Sequence, residues 1–526
     1  MKERYDVMKI LSCVFEITPV NPLKNAEKIM EICAESDADI CLFPAYVLTG
    51  VACGNLLSYK PFAAQLAEAV DRLCRYTEEH NQLIVTATQQ QGNIAVYDGD
   101  VNTSGNLTFG GKKVVISKNA DEKADILLIP TAMPGYPCIK NDLSEFCAAA
   151  SKKHGCVVAV ANCGYGESSA DNVFKGVAGI FKNGVITSFF AQDTPETISA
   201  CADYEKGEGI IYARPKRPAD KIPYYGINNP ELYLDDLLLL QKQALYTRLK
   251  NCGIQKVGVN VSGGADSTLA LLAAVETVKM MGLPASNVFA QSLPCFGTTS
   301  RTNSNARTLC ETLGVTFREI DIQSDVAAHL KTIGHENSED VTYENAQARE
   351  RTQILLDICN KEGALALGTG DLSEEAIGFC TFGGDDLCHY NINATVPKTL
   401  VKAAISRYAE KPENAAVKEV LLDIVETPVS PELKNGQVTE DIVGPYLLID
   451  FILYYFAKHH FSPEDIRNYM LATFDEYTDE EIDNALKSFF TRFKRNQFKR
   501  SSACEGANLL GVSLPYFPAD AVPDFI

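Results

Sequence analysis

The chain has 526 residues, too many for one hydrophobic core, so at least two domains are expected. A formal charge of -20 excludes a surface built for nucleic acid or anionic membrane, both of which need concentrated Lys and Arg, and favours a small-molecule substrate. With 46% hydrophobic and 22% charged residues the composition is that of an ordinary globular protein, neither disordered nor fibrous. The seventeen cysteines are odd in number and form no CxxC pair, so they encode neither a disulfide framework nor a zinc site. The opening MKERYDVMKILSCVF lacks the apolar stretch of a secretory signal, and no apolar run reaches the roughly 20 residues of a membrane span. A cytoplasmic enzyme is therefore expected.

In chain order, the first strand is predicted over Met8 to Phe15 and the first helix over Pro22 to Ser36. A strand over Ile40 to Phe43, a helix over Phe62 to His80 and strands over Leu83 to Ala87, Asn93 to Tyr97, Lys113 to Ile116 and Ile126 to Ile129 follow. Tyr97 to Gly111 reads as a short polar loop. A helix over Asn141 to His154 leads to strands at Val157 to Val160, Gly176 to Phe181, Val185 to Phe190 and Gly209 to Ala213, completing a mixed α/β domain over residues 1–213.

The prolines and mixed charges of RPKRPADKIPYYGINN mark a linker, placed at 214–231, before a second domain over 232–526. There a long helix over Leu232 to Cys252 precedes alternating strands and helices. The strands are Val257 to Val261, Val288 to Leu293, Thr316 to Ile322 and Ala364 to Gly368; the helices run to Met281 and over Asn303 to Leu313 and Asn345 to Asn360. This rhythm predicts a parallel sheet with helices on both faces, and the remainder to about Phe498 reads as helical.

The chemistry concentrates at the end of the Val257 strand, where KVGVNV runs into SGGADS and an alanine-rich helix. Gly263 and Gly264 let the backbone approach an anion, the free amides of the helix N-terminus point at it, and Ser262 and Ser267 add hydroxyl donors. A phosphate site results. Asp266 cannot bind phosphate directly and is better used on a metal. Between strand and helix, SGGADS resembles the pyrophosphate loop of ATP pyrophosphatases, which cleave ATP between its α and β phosphates to adenylate a substrate.

Four further segments, SLPCFGTTSRTNSNA, VTYENAQARERTQILLD, LGTGDLSEEAIGF and NATVPKTLV, resemble NAD synthetase in the right order across Leu232 to Pro515. The resemblance implies an ATP-pyrophosphatase-type doubly wound sheet and the amidation of deamido-NAD to NAD through an acyl adenylate, with AMP and pyrophosphate released. It implies that Glu374 joins Asp266 on magnesium and that Thr369 and Asp385 line the ATP and dinucleotide site. Lys398, and Lys499 with Arg500, would bring cations to the phosphates, and Arg349 and Arg351 would make dinucleotide or subunit contacts. Bland alternatives stand beside these roles. Arg349 to Arg351 also fits a solvated helix face, Glu374 and Glu375 a pair at a helix N-terminus, and Lys499 and Arg500 a basic tail. Glu375 and Asp386 depart from the family pattern, which has leucine and histidine there. Another adenylating ligase and a non-catalytic scaffold of the same fold are the competing readings; GTGDLSE and ENAQARER oppose the first, and intact SGGADS with Glu374 the second.

Met8 to Arg214 resembles the nitrilase-like α-β-β-α sandwich domain of glutamine-dependent NAD synthetases, through ADICLFPAYVLTGVACGNLL and VANCGYGESSADNVFKGVAGIFKNGVI. That family uses a Glu base, a Lys oxyanion donor and a Cys nucleophile. Here Ala45 stands at the glutamate position, Ser117 at the cysteine position, and the lysine segment is deleted, while Cys138 and Cys163 read as structural. The expected nitrogen source is free ammonia; glutamine would require a separate glutaminase subunit. The resemblance further implies a homo-oligomer, dimer or octamer, and the apolar segment Tyr446 to Phe456 is either its interface or part of the domain's own core.

Overall fold

The computed structural model describes residues 8–170, 172–204, 221–226, 228–298, 300–429, 433, 439–512 and 514. It divides into two compact units, Met1–Ser168 with Asn172–Arg214, and Ser169–Asp171 with Pro215–Ile526.

The amino-terminal unit contains β1 (Lys9–Val14), α1 (Pro22–Glu35), β2 (Ile40–Ala45), α2 (Lys60–Glu79), β3 (Leu83–Thr88), β4 (Gly92–Tyr97), β5 (Asp100–Asn102), β6 (Asn106–Phe109), β7 (Lys112–Ile116), β8 (Ile126–Thr131), α3 (Ile139–His154), β9 (Val157–Asn162), β10 (Val177–Lys182), β11 (Val185–Ala191) and β12 (Ile198–Asp203). Two six-stranded sheets form, ordered β12-β1-β2-β3-β4-β5 and β11-β10-β9-β8-β7-β6. One face of each sheet meets the other through Ile10, Leu42 and Val85 on the first and Ile116, Leu128 and Ala159 on the second. The outer face of the first sheet is covered by Ile29 of α1 and Leu66 and Leu73 of α2. Leu143 and Cys147 of α3 cover the second. Because both faces of the central strands are buried, they read as unbroken apolar runs rather than alternating ones. The result is an α-β-β-α sandwich. Tyr97 to Gly111, expected as a loop, instead carries β5 and β6, edge strands too short and polar to show a period of two. The strand β12 was also not anticipated, and the expected strand over Gly209 to Ala213 lies outside the described residues.

The carboxy-terminal unit opens with α4 (Pro230–Cys252) and continues as β13 (Val257–Asn260), α5 (Ala265–Met280), β14 (Val288–Ser292), α6 (Ser300–Leu313), β15 (Thr316–Glu319), α7 (Gln323–Thr332), α8 (Val341–Glu362), β16 (Leu365–Gly368), α9 (Leu372–Ile377), β17 (Tyr390–Asn391) and α10 (Lys398–Glu410). The sheet order is β15-β14-β13-β16-β17 and every pairing is parallel. From β13 the chain winds outward through β14 and β15, then returns through α7 and α8 to place β16 on the other side of β13. Right-handed crossovers in opposite directions put helices on both faces. The carboxyl ends of β13 and β16 meet where the winding reverses, the place where sheets of this kind bind ligands. Packing is close: a Cβ at Gly258 of β13 would lie 2.3 Å from the Cys359 sulfur of α8.

Beyond α10 come α11 (Lys418–Glu426), α12 (Thr439–Val443), α13 (Tyr446–Leu453), α14 (Pro463–Thr473), α15 (Asp479–Arg495) and α16 (Gln497–Arg500). Leu448, Phe451, Ile452 and Leu453 of α13 are buried in one core with Ile466, Met470, Phe489 and Phe493. Of the two readings of the apolar segment Tyr446 to Phe456, this unit's own core is the one the packing supports. Among the described residues, no helix is long and apolar enough to cross a membrane.

Candidate active site

The loop from β13 to α5 turns sharply at Gly263, where φ is +85° and a Cβ would sit 2.1 Å from the carbonyl oxygen of Thr302. Only glycine fits there. Ser262 Oγ accepts from the Gly264 amide at 3.2 Å and lies 3.3 Å from Ser267 Oγ, which donates to the Gly264 carbonyl at 3.1 Å. The loop is thus tied to the first turn of α5, whose unpaired amides face the cleft.

A second loop, from β16 to α9, carries Thr369 and Asp371. Asp371 caps α9, its Oδ1 accepting from the Ser373 and Glu374 amides at 2.8 and 3.0 Å. This directs Glu374 toward Asp266. Asn393 joins the loops, donating to the Asp266 and Thr369 carbonyls at 3.0 and 3.1 Å, and is itself held by Gln241 at 2.9 Å.

Asp266, Asp371 and Glu374 bring carboxylate oxygens within 4.8 Å of one another. Lys398, at the start of α10, places Nζ 2.7 Å from Asp266, 2.6 Å from Asp371 and 2.9 Å from Glu374. The ammonium is buried, and its three partners raise its pKa against the cost of burial. Burial pushes the Asp266 and Glu374 carboxyls up, and Asp371 adds repulsion, while Lys398 opposes the rise. Three carboxyl groups share one ammonium, and Asp266 Oδ1 is buried without a hydrogen-bond partner. A hard divalent cation fits both the oxygen donors and the charge. Behind this cluster Asp450 accepts from Ser373 Oγ and from the Thr399 amide at 2.8 Å, fixing α9 against α10.

The cleft in front, about 220 Å3, is lined by Ser262, Asp266, Ser267, Thr369, Glu374 and Asp385 among others, with Arg351 on its wall. A second cavity of about 870 Å3 shares Phe379, Asp385 and Leu433 with it and is lined by Arg349, Lys487, Arg492, Arg495 and Lys499 together with Phe382 and Phe498, whose rings lie 5.7 Å apart.

The sequence-derived residues therefore fall into two groups. Ser262, Asp266, Ser267, Thr369 and Glu374 border the first cleft; Arg349 and Lys499 border the second, and Asp385 both. Gly263 and Gly264 shape the loop rather than the cleft wall. Two expectations need correction. Lys398 does not line the first cleft; its ammonium lies on the three carboxylates. Arg500 is no phosphate ligand. It is fully buried, donates to the Ala376 and Phe493 carbonyls at 2.8 and 2.6 Å, and stacks 3.7 Å from the Phe493 ring centroid. Lys499 donates to the Gly378 and Cys380 carbonyls at 2.8 and 2.6 Å, Arg349 to the Phe382 carbonyl at 3.1 Å, and Arg351 to the Leu293 carbonyl at 3.1 Å. Glu375 faces Arg500 but is buried, which pushes its carboxyl up to about 8, and Asp386 caps a turn by accepting from the Gly384 amide at 3.0 Å. Asp371 was missed. Its signal was present: an Asp three residues before Glu374 is an N-cap pattern that sets the glutamate's direction.

In the amino-terminal unit, Ala45 ends β2 and Ser117 follows β7, where its hydroxyl accepts from the Asn119 amide at 3.3 Å. Cys163, after β9, donates its thiol to the Ala45 carbonyl at 3.0 Å and contacts Glu167, which accepts from the Val51 amide at 2.7 Å. Cys163 and Glu167 are 2% and 4% exposed. Burial and the adjacent carboxyl raise the thiol well above its usual range, which favours the protonated form over the reactive thiolate. Burial also pushes Glu167 up to about 7. A carboxyl raised on folding favours the folded state below its unfolded value of 4.5, and this contribution is lost as pH rises through about 7. Glu167→Gln is therefore expected to flatten the pH dependence of unfolding of this unit between pH 4.5 and 7, a difference on the order of 3 kcal/mol. Denaturant melts at several pH values check this, and an unchanged slope would refute the buried-carboxyl assignment.

The parallel sheet, glycine loop and acidic cluster at the reversal point define a doubly wound, phosphate-binding α/β domain of the kind that handles nucleotides. The chain belongs to the NAD synthase family, whose model matches residues 239–503. The glutamine-dependent NAD(+) synthetase of Mycobacterium leprae is 38% identical over 328 residues, which are 55% of this chain and 48% of that protein. The chain thus spans about half the length of the first curated relatives it matches. That of Xanthomonas campestris is 26% identical over 95% of this chain and 94% of its own. Among solved structures, a glutamine-dependent NAD(+) synthetase from Cytophaga hutchinsonii shares the fold with a TM-score of 0.78 at 16% identity, covering 97% of this chain and 96% of that one. One from Acinetobacter baumannii in complex with ADP does so at 0.67 and 19% identity, over 97% of each chain.

Proposed function

We propose that the protein is an NAD synthetase that amidates deamido-NAD at the expense of ATP. The observation that carries this reading is the juxtaposition of a phosphate loop with an acidic cation site, beside a cavity lined by basic and aromatic side chains, in a chain of this family. ATP occupies the first cleft, with its phosphates on the amides and hydroxyls of the Ser262–Ser267 loop. The second cavity suits a dinucleotide. Phe382 and Phe498 offer faces for flat rings, and Arg349, Lys487, Arg492, Arg495 and Lys499 offer cations to a pyrophosphate. Asp385, on the shared wall, is where the two substrates meet.

The nicotinate carboxylate attacks the α-phosphorus, pyrophosphate departs, and ammonia then displaces AMP from the acyl adenylate. A carboxylate resists attack by an amine, so activation is the demanding step. Asp266, Asp371 and Glu374 would hold magnesium, which when bound supplies charge neutralisation to the polyphosphate. Lys398 keeps the three carboxylates gathered in its absence, and Asn393 keeps the loops that bear them in register.

Free ammonia is the nitrogen donor in this reading, although the relatives are named for glutamine. Ala45 cannot accept a proton, Ser117 has no neighbouring base among its described contacts, and Cys163 is held neutral beneath Ala45. Groups of this kind act as a unit, so one loss is already severe. Ammonium is expected to support NAD formation, and glutamine freed of ammonia to support less than about 1% of that rate with this chain alone. Equimolar glutamate and NAD formed from glutamine would overturn the assignment, and Cys163→Ala would then show whether that thiol had been misjudged. A separate glutaminase subunit remains compatible with an ammonia-using chain. Self-association as a homo-oligomer rests on the family resemblance, and residence in the cytoplasm on the sequence expectation alone.

A further inference from the structure

Seventeen cysteines are spread through the chain, all as free thiols, and one pair of them is in contact beside the proposed substrate cavities. After β17 the chain segment around Gly506 runs parallel to it: Asn391 bridges Gly506, its amide donates to the Glu505 carbonyl at 2.8 Å, and its carbonyl accepts from Ala507 at 3.0 Å. Just before this bridge, Cys388 and Cys504 come together. The Cys388 amide donates to Cys504 Sγ at 3.2 Å, and the two thiols are close enough to influence each other's ionisation. Both are half-buried, so neither is sealed from solvent as Cys147 or Cys163 is. Room for the Cys388 sulfur exists only because position 368 is glycine, where a Cβ would lie 2.5 Å from it.

We infer that Cys388 and Cys504 are a redox-active dithiol that closes to a disulfide when a peroxide is present. The division of labour follows from the contacts. The neighbouring Cys388 thiol and the Cys388 amide, which donates to Cys504 Sγ, lower Cys504 to about 6 despite the opposing effect of burial and the Asp386 charge. It is the thiolate of the pair, and thiolates are the reacting form. Cys388 is raised by the neighbouring Cys504 and by burial, and remains the thiol. Cys504 attacks one peroxide oxygen, the O–O bond breaks, and hydroxide leaves as water with a proton taken from solvent. The sulfenic acid so formed is attacked by Cys388, the S–S bond forms, and the Cys388 proton leaves with the second oxygen as water. Two thiols are oxidised and one peroxide is reduced to two waters. The link joins two stretches that border the cavities, Leu387 on one side and the turn following Lys499 on the other.

The inference does not depend on the proposed reaction and is tested without it. The full-length reduced protein is treated with one to two equivalents of hydrogen peroxide, quenched with an alkylating agent, digested and analysed by mass spectrometry. The expected result is a peptide pair joined through Cys388 and Cys504, lighter by two hydrogens, with two fewer alkylated thiols. Cys388→Ser is expected to abolish the link and leave Cys504 as a sulfenic acid that dimedone captures. Oxidation of the exposed Cys201 and Cys252 with the pair untouched would overturn the inference. So would a link from Cys504 to a different cysteine, or conversion of Cys504 to sulfinic acid while Cys388 stays free.

Discussion

Asp266→Asn and Glu374→Gln are each expected to lower turnover by roughly 100-fold or more while leaving the melting temperature unchanged or slightly raised. The two halves of this expectation have one cause. Each carboxylate supplies an oxygen to the proposed cation site, so its amide weakens cation binding and the electrostatics of phosphoryl transfer. For the fold, however, three carboxylates crowd one ammonium, and burial with mutual repulsion raises Asp266 and Glu374. Removing one negative charge relieves that repulsion and leaves Lys398 with two partners. Steady-state rates and calorimetric scans check both halves. Wild-type rates would remove the residue from the site, and a large fall in melting temperature would make its role structural.

Lys398→Met has the opposite signature. The substitution keeps most of the stem volume but leaves buried Asp371 and half-buried Asp266 and Glu374 with no cation, and stranding buried charge costs about 3–5 kcal/mol. Destabilisation of that size is expected in chelator, with substantial recovery in millimolar magnesium as the ion takes the place of the ammonium. The melting temperature of the wild type should respond less to magnesium, because Lys398 already gathers the carboxylates. A variant as stable as the wild type in chelator would show that the cluster is not charged as described; failure of magnesium to help would show that the three carboxylates do not form a cation site.

The parts of this site that were legible in the sequence are those fixed by backbone chemistry. Gly263 advertises a positive φ and a close approach to Thr302, and SGGADS between an apolar strand and an alanine-rich helix places it at a strand's carboxyl end. The alternation of strands and helices from Val257 onward likewise foretold the parallel sheet, because strands buried on both faces give continuous apolar runs. Side-chain destinations were harder to read. Lys499 and Arg500 are adjacent cations, yet one lines a cavity and the other is buried on Phe493, because neighbours on one helix point about 100° apart. The direction of Lys398 depends on Asp371, 27 positions earlier in the chain but placed against it by the parallel sheet and α9. The helix α7 escaped notice because only Val326 and Leu330 are buried in it, too few to mark a stripe.

The account's central claim is that the carboxylate of a deamido-dinucleotide is adenylated before nitrogen is added, and an isotope experiment reads this directly. Deamido-NAD carrying 18O in both oxygens of its nicotinate carboxylate is incubated with the protein, ATP, magnesium and ammonium, and the products are separated and weighed by mass spectrometry. The account requires NAD, AMP and pyrophosphate in equal amounts, with one 18O retained in the new amide and the other in the phosphate of AMP. Label appearing in inorganic phosphate alongside ADP, or NAD formed with unlabelled AMP, would contradict it.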